Sequence, residues 1–242
     1  MLGWKLFSHS LRMVLVNWPH ALKISAPLIA AYVIGFLFAG EAVFMNFDPN
    51  NPETISGTAL GFFLLILIAT FWTVVAWHRF VLIEEYPAVL PPFHFDRILS
   101  YIFSSILLGL LVAVLGGILI GFSALIAAAV PALFLIISFA ALILMIWAFY
   151  RLSPVLPAAA LGTRMTMREA WDATGVLSFE TLIAAAISFG FSLLLGLAAA
   201  TLAAIIPPTA LASSIAVNCV VTLVGASLLT TIYGVAIEKR TL

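Results

Sequence analysis

Four stretches of this chain, 24–40, 54–77, 98–150 and 181–237, contain no Asp, Glu, Lys, Arg or His. A helix needs about 17 to 25 mostly apolar residues to cross the ~30 Å hydrocarbon core of a bilayer. The first two stretches each suit one crossing. The other two are too long for one and must fold back. In the third, the region from Gly121 to Pro131 offers the break, and Pro131 suits the first turn of a new helix. In the fourth, Pro207 and Pro208 interrupt the run. Six spans result, near 24–45, 57–82, 98–120, 130–151, 181–205 and 211–237. The expected fold is an all-α integral membrane protein, one membrane domain over 1–242, built as a six-transmembrane-helix bundle.

Composition agrees. The chain is 64% hydrophobic and 8% charged, whereas a soluble domain carries about 25% charged residues to hold its surface in water. Its 10 basic and 10 acidic residues cancel, and the bases are scattered, so no nucleic-acid partner is implied. Cys219 is the single cysteine and makes neither an internal disulfide nor a thiolate metal site. Lys5 and Arg12 interrupt the first apolar segment, which reads against a removable signal peptide.

Six spans put alternate loops on opposite sides, and the bases then fall on one side only. Lys5, Arg12 and Lys23 precede the first span, and Arg79 and Arg97 flank the second loop. Arg151, Arg164 and Arg168 flank or occupy the fourth, and Lys239 and Arg240 end the chain. The opposite side holds Asp48 and Glu53, with Glu41 at the end of the first span. Bacterial inner-membrane proteins retain bases in the cytoplasm, so both termini are expected there. Trp77, Arg79, Trp147 and Arg151 close the even spans with aromatics and bases, as an interfacial belt with snorkelling cations would.

Two further segments read as helices lying on the membrane. Over residues 1–20, Trp4, Phe7, Leu11, Val14, Leu15 and Trp18 share one helical face, and Lys5, Ser8, His9 and Arg12 the other. That pattern suits an amphipathic interfacial helix on an anionic leaflet; docking against a partner's membrane edge is the alternative. Between spans four and five, Ser153, Pro154 and Pro157 can open a short helical turn that Gly162 closes. Thr166-Met167-Arg168-Glu169 has the spacing of a capping box, opening a short cytoplasmic helix with Trp171 as its anchor and Gly175 as its stop.

The run Arg151-Leu-Ser-Pro-Val-Leu-Pro157-Ala-Ala-Ala-Leu-Gly162, followed by Met167-Arg-Glu169-Ala-Trp171-Asp-Ala-Thr174-Gly175, resembles a pattern of bacterial multi-pass membrane proteins. These are similar to the membrane domain attached to some glycerophosphodiester phosphodiesterases. The resemblance implies the six-span plan and the leading amphipathic helix. It transfers neither hydrolase activity nor site residues, because no hydrolase domain accompanies this stretch.

Intramembrane chemistry needs ionisable or nucleophilic groups facing one another inside the bundle. Gly121-Phe122-Ser123 and Gly190-Phe191-Ser192 place serines within spans, but His9, His20, His78 and His94 all belong to the basic side. Glu84-Glu85 lacks the arginine a membrane metalloprotease dyad would add, since Val89 stands there. His78, Glu84, Glu85, His94 and Asp96 match no compact metal-ligand spacing. No acid lies near mid-membrane, and Asn218 is expected to hydrogen-bond across helices. No catalytic residue, metal or cofactor is therefore assigned.

Small-residue spacing is the other signal. Gly57 and Gly61, Gly117 and Gly121, and Gly190 followed by Gly196 let helix backbones approach. They are expected to pack helices within the chain, with self-association or a membrane-protein partner as alternatives. The reading that follows is a non-catalytic scaffold, accessory subunit or lipid-organising module in contact with membrane lipids. A transporter or channel for a small or lipid-like solute is the alternative.

Overall fold

The computed structural model describes residues 2–45, 57–130 and 133–242, and every regular element among them is helical. In chain order these are α1 (Leu2–Val16), α2 (Trp18–Ile24), α3 (Ala26–Met45), α4 (Gly57–Ile83), α5 (Phe95–Ala129), α6 (Leu133–Leu152), α7 (Val155–Leu161), α8 (Met167–Ala173), α9 (Ser178–Ile205) and α10 (Ala210–Ala236). Five membrane-length apolar helices are present among the described residues. The number is six if α2 and α3, bent by 49° at their junction, form one crossing. Asp48, Glu53 and Pro131, and the side chain of Glu41, lie outside what is described.

The pairs α3–α4, α5–α6 and α9–α10 pack as hairpins. The third apolar run breaks at the far end of the expected Gly121–Pro131 region, so the span is longer than 98–120: α5 continues to Ala129 and is capped at Val130, whose N–H bonds the Ile126 carbonyl. An unpaired peptide group is costly in hydrocarbon, so a glycine there stays in the hydrogen-bonded ladder. At ~1.5 Å per residue α5 is about 50 Å long, well beyond a ~30 Å hydrocarbon core.

The core sits at one end of the bundle. Val75, Trp77 and Phe80 of α4 meet Ile98 and Tyr101 of α5, Leu152 of α6, Val155 and Leu156 of α7, and Val224 of α10. Away from that end the helices expose apolar side chains: Leu110, Ile118 and Leu125 on α5, Leu135 and Phe139 on α6, Leu194 and Leu197 on α9.

Residues 151–160 are buried without exception. The fourth loop is therefore no surface turn: α6 bends at Ser153-Pro154 and α7 enters the bundle between α4, α5 and α10. The small side chains of Ala158, Ala159 and Ala160 allow that approach. Gly162 closes α7 in the left-handed region at φ 80°, where a Cβ would be strained and would collide with the Arg97 guanidinium.

The first helix is shorter than expected. It ends at Val16, because Pro19 in the first turn of α2 supplies no backbone donor there. Its face is also divided. Gly3, Leu6, Phe7, Ser10 and Val14 are buried against α9 and α10, while Trp4, Leu15, Val16 and Trp18 remain exposed. A Cβ at Gly3 would lie 2.7 Å from the Ile183 Cβ and 2.8 Å from the Glu180 carbonyl oxygen. The Gly3 N–H donates to the Glu180 carboxylate at 2.5 Å, placing a negative charge where the helix N-terminus favours one.

The glycine expectation needs correction. Among the described residues, a Cβ on Gly57, Gly61, Gly117, Gly121, Gly190 or Gly196 would meet nothing within 4 Å. Among the described residues these glycines make no close helix contact. Close approach occurs instead at Gly3, at Gly35 against Phe62, and at Gly116 against Met145.

Candidate functional site

The polar structure gathers at the core end in three connected places. The first is a buried seam between α4 and α10. The Trp77 Nε1–H donates to Ser227 Oγ at 2.7 Å, and His78 Nδ1 lies 2.7 Å from Thr230 Oγ1. Thr230 already donates its hydroxyl proton to the Ala226 carbonyl, so its oxygen accepts from His78. That assigns the imidazole proton to Nδ1 and leaves Nε2 to accept from the Tyr101 hydroxyl, 3.4 Å away. At the next residue of α10, Thr231 meets Ser10 of α1 at 2.9 Å. The seam ties α1, α4, α5 and α10 with satisfied neutral groups, and nothing in it offers an exposed reactive atom.

The second is the cage around Arg151. Its guanidinium donates to Thr174 Oγ1 at 3.0 Å, to Ser178 Oγ at 3.2 Å and to the Trp171 carbonyl. It stacks over Trp171 at 4.1 Å and over Trp147 at 5.3 Å. Trp147 donates its own N–H to Ser178 at 2.8 Å. The short α8 is opened by the capping box of Thr166 and Glu169, whose groups bond each other's backbone N–H. Gly175 does not stop it; Thr174 does, and Gly175 begins a 3-10 turn.

The third is the open side of the end. A cleft of about 450 Å³ lies between α1, the end of α4 and the chain's last residues. His9 and Arg12 of α1 and Asn17 just after it line the cleft, with Phe80 and Val81 of α4, Glu84 after α4, then Tyr86 and Arg240. Burial, and then the charge of Arg12, hold His9 below the ordinary histidine range. Beside the cleft Glu85 accepts from Arg79 and pairs with His94 at 2.7 Å, and Arg79 also donates to the Ala160 carbonyl at 3.2 Å. Arg240 donates to the Leu82 carbonyl at 3.2 Å.

Several sequence-selected residues therefore have other duties. Trp77 is fully buried and Arg151 nearly so, and Arg79 is held by Glu85 and Ala160. None of the three is a snorkelling anchor; each spends its donors inside the protein. Trp147 and Trp171 are half-buried in the Arg151 cage. Trp4, Lys5, Arg12 and Trp18 stand exposed. Asn218 donates to the Ser214 carbonyl one turn back at 2.9 Å, within its own helix. Ser123 bonds the Ile120 carbonyl and approaches Ser138, and Ser192 bonds the Ser188 carbonyl. Among the described residues no three His, Cys, Asp or Glu converge as a metal site. The seam itself was signalled by Ser227, Thr230 and Thr231, hydroxyls one turn apart on one side of an apolar helix.

No family model, curated protein or solved structure matches this chain. The geometry has to carry the functional reading.

Proposed function

We propose that the chain is a non-catalytic multi-pass protein of the bacterial inner membrane, a scaffold that organises lipid around a platform at its cytoplasmic end. One observation carries this reading: the packing and the polar pairing concentrate at a single basic end. There α1, α7 and α8 brace the bundle, while the remainder of the spans presents apolar side chains suited to lipid. The positive-inside rule supports assigning that end, and both termini, to the cytoplasm. The resemblance to the membrane domain attached to some glycerophosphodiester phosphodiesterases is consistent with a module without chemistry of its own. Trp4 of α1 and Trp18 of α2 are suited to anchoring these helices at the interface.

The test is extraction of the full chain in native lipid with a membrane-excising polymer, followed by mass analysis of copurifying molecules. A fixed complement of phospholipid or a stoichiometric membrane-protein partner is the expected result. Material carrying only bulk lipid in bulk proportion would overturn it.

A second reading is favoured by the unfilled positions beside Gly117, Gly121, Gly190 and Gly196. Open space along those helix surfaces suits the passage of a lipid-like solute. Purified chain in liposomes would then speed exchange of labelled phospholipid between leaflets, and Gly190→Leu would block it. The scaffold reading expects no acceleration.

A further inference from the structure

The cleft between α1 and the end of α4 combines charges of both signs that the fold does not itself pair. Among the described residues neither Arg12 nor Glu84 forms a hydrogen bond or ion pair, although both line the cleft. Glu84 is also held at φ 56°, a left-handed conformation uncommon for a residue with a side chain. It occupies the closing position of α4: the Glu85 N–H reaches back to the Arg79 carbonyl at 3.3 Å. Glycine is the usual residue at such a position, because it meets no Cβ penalty. Here the chain accepts that strain and presents a carboxylate to the cleft.

Two guanidinium groups, of Arg12 and Arg240, line the same cleft. Arg240 pairs through Nε with Glu238 at 2.5 Å and spends one Nη2 proton on the Leu82 carbonyl. Its other N–H donors are not used by those contacts, since a guanidinium carries five. The Tyr86 ring, 61% exposed, packs T-shaped against Phe80 and His20 with centroids 5.4 and 5.3 Å away, and an exposed aromatic ring suits a cation. Met13 and Phe80 give the cleft an apolar wall. Exposed Leu15, Trp18 and Leu22 continue the apolar surface outside it, as expected where headgroups meet acyl chains.

We propose that this cleft binds the headgroup of a zwitterionic, amine-bearing phospholipid of the phosphatidylethanolamine type, its phosphate against Arg12 and Arg240 and its ammonium against Glu84 and Tyr86. The site rests on the lipid-organising reading and gives it a headgroup. A lipid with the same phosphate but no ammonium would satisfy the arginines and leave Glu84 without a counter-charge. The carboxylate is thus the selectivity element, and Arg12 a general phosphate donor.

The experiment uses the full chain, delipidated in mild detergent, with dioleoyl phosphatidylethanolamine or dioleoyl phosphatidylglycerol added at matched concentration. Native mass spectrometry counts retained lipid. Wild type should retain the ethanolamine lipid about fivefold or more over the glycerol lipid, an energy within reach of one charged contact. Glu84→Gln should remove the preference by lowering retention of the ethanolamine lipid. Arg12→Gln should weaken both lipids by about tenfold. Both side chains are exposed, and each variant's thermal midpoint is compared with wild type to confirm an intact fold. Equal retention of the two lipids by wild type, or an unchanged preference in Glu84→Gln, would overturn the proposal. In either case stoichiometric retention without selectivity leaves the scaffold reading standing, and wild type retaining neither lipid overturns the headgroup site while the scaffold reading still stands or falls on its own extraction test.

Discussion

The Arg151 guanidinium lies 4.1 Å over the ring of Trp171, joining the last turn of α6 to the short α8. It is at once stacked and hydrogen-bonded to Thr174, Ser178 and the Trp171 carbonyl. A lysine keeps the charge but loses the planar fork and the stacking surface. Arg151→Lys should therefore cost about 1–3 kcal/mol, the value of charged hydrogen bonds that are no longer made. Thermal unfolding in matched detergent measures it, and a double-mutant cycle with Trp171→Leu isolates the stacking contribution. A wild-type midpoint in Arg151→Lys would show that the cage is not a stabilising joint.

The same arginine shows where sequence reasoning holds and where it stops. Charge-free runs and prolines located the apolar helices to within a few residues at most ends, because a peptide group in hydrocarbon must be paired and only a helix pairs it locally. The Thr166–Glu169 capping box was equally legible, since both partners lie within one turn. Arg151 was not. An aromatic–base ending is the same string whether the base reaches water or turns inward to Thr174 and Ser178, and those partners come from another element. His78 and Trp77 escaped for that reason too: their acceptors are on α10, 150 or more residues away. The burial of α7 was hidden because its alanine-rich sequence suits a surface turn as well as a tight interior.

Glycines give the next prediction, and it separates close approach from open space. At Gly3 a methyl group would press on the Ile183 Cβ and on backbone, neither of which moves cheaply. Gly3→Ala should loosen α1 from α9 at a cost of about 1–3 kcal/mol, the usual penalty for overpacking. Gly190→Ala and Gly196→Ala should stay within about 0.5 kcal/mol of wild type, as substitutions outside packed regions do. Detergent-solubilised thermal midpoints of the three variants decide the matter. Strong destabilisation by the second pair would mean that a partner chain or another conformation fills those gaps.

Glu85 supplies a pH dependence of known sign. Burial pushes its carboxyl up, but hydrogen bonds from His94 and Arg79, with their charges, outweigh burial and bring it below the ordinary carboxylate value. A group depressed in the folded state stabilises the fold above its unfolded value. That contribution is present above about pH 4.5 and is lost as pH falls through the depressed range. Glu85→Gln should be less stable than wild type at neutral pH, and the difference should shrink towards pH 3. Midpoints measured between pH 3 and 7 at constant salt provide the check. A gap between the two proteins that does not change with pH would remove Glu85 from the linkage.

Orientation is the last prediction, and the contacts give it more force than counting bases does. Arg79 reaches α7 through the Ala160 carbonyl, Arg97 abuts Gly162, Arg240 bonds Leu82, and Arg12 shares a cleft with Arg240. These bases meet at one end of the bundle although they lie far apart in sequence. Translocating that whole end would carry many cations across the bilayer, each costly at its centre. The end should therefore face the cytoplasm. In a Cys219→Ser background, a cysteine at exposed Arg168 should react with an impermeant maleimide only after the cells are opened. One at Asn50, which lies outside the described residues, should react in intact cells. The reverse pattern would invert the topology and move the Arg12–Glu84 cleft to the outer leaflet.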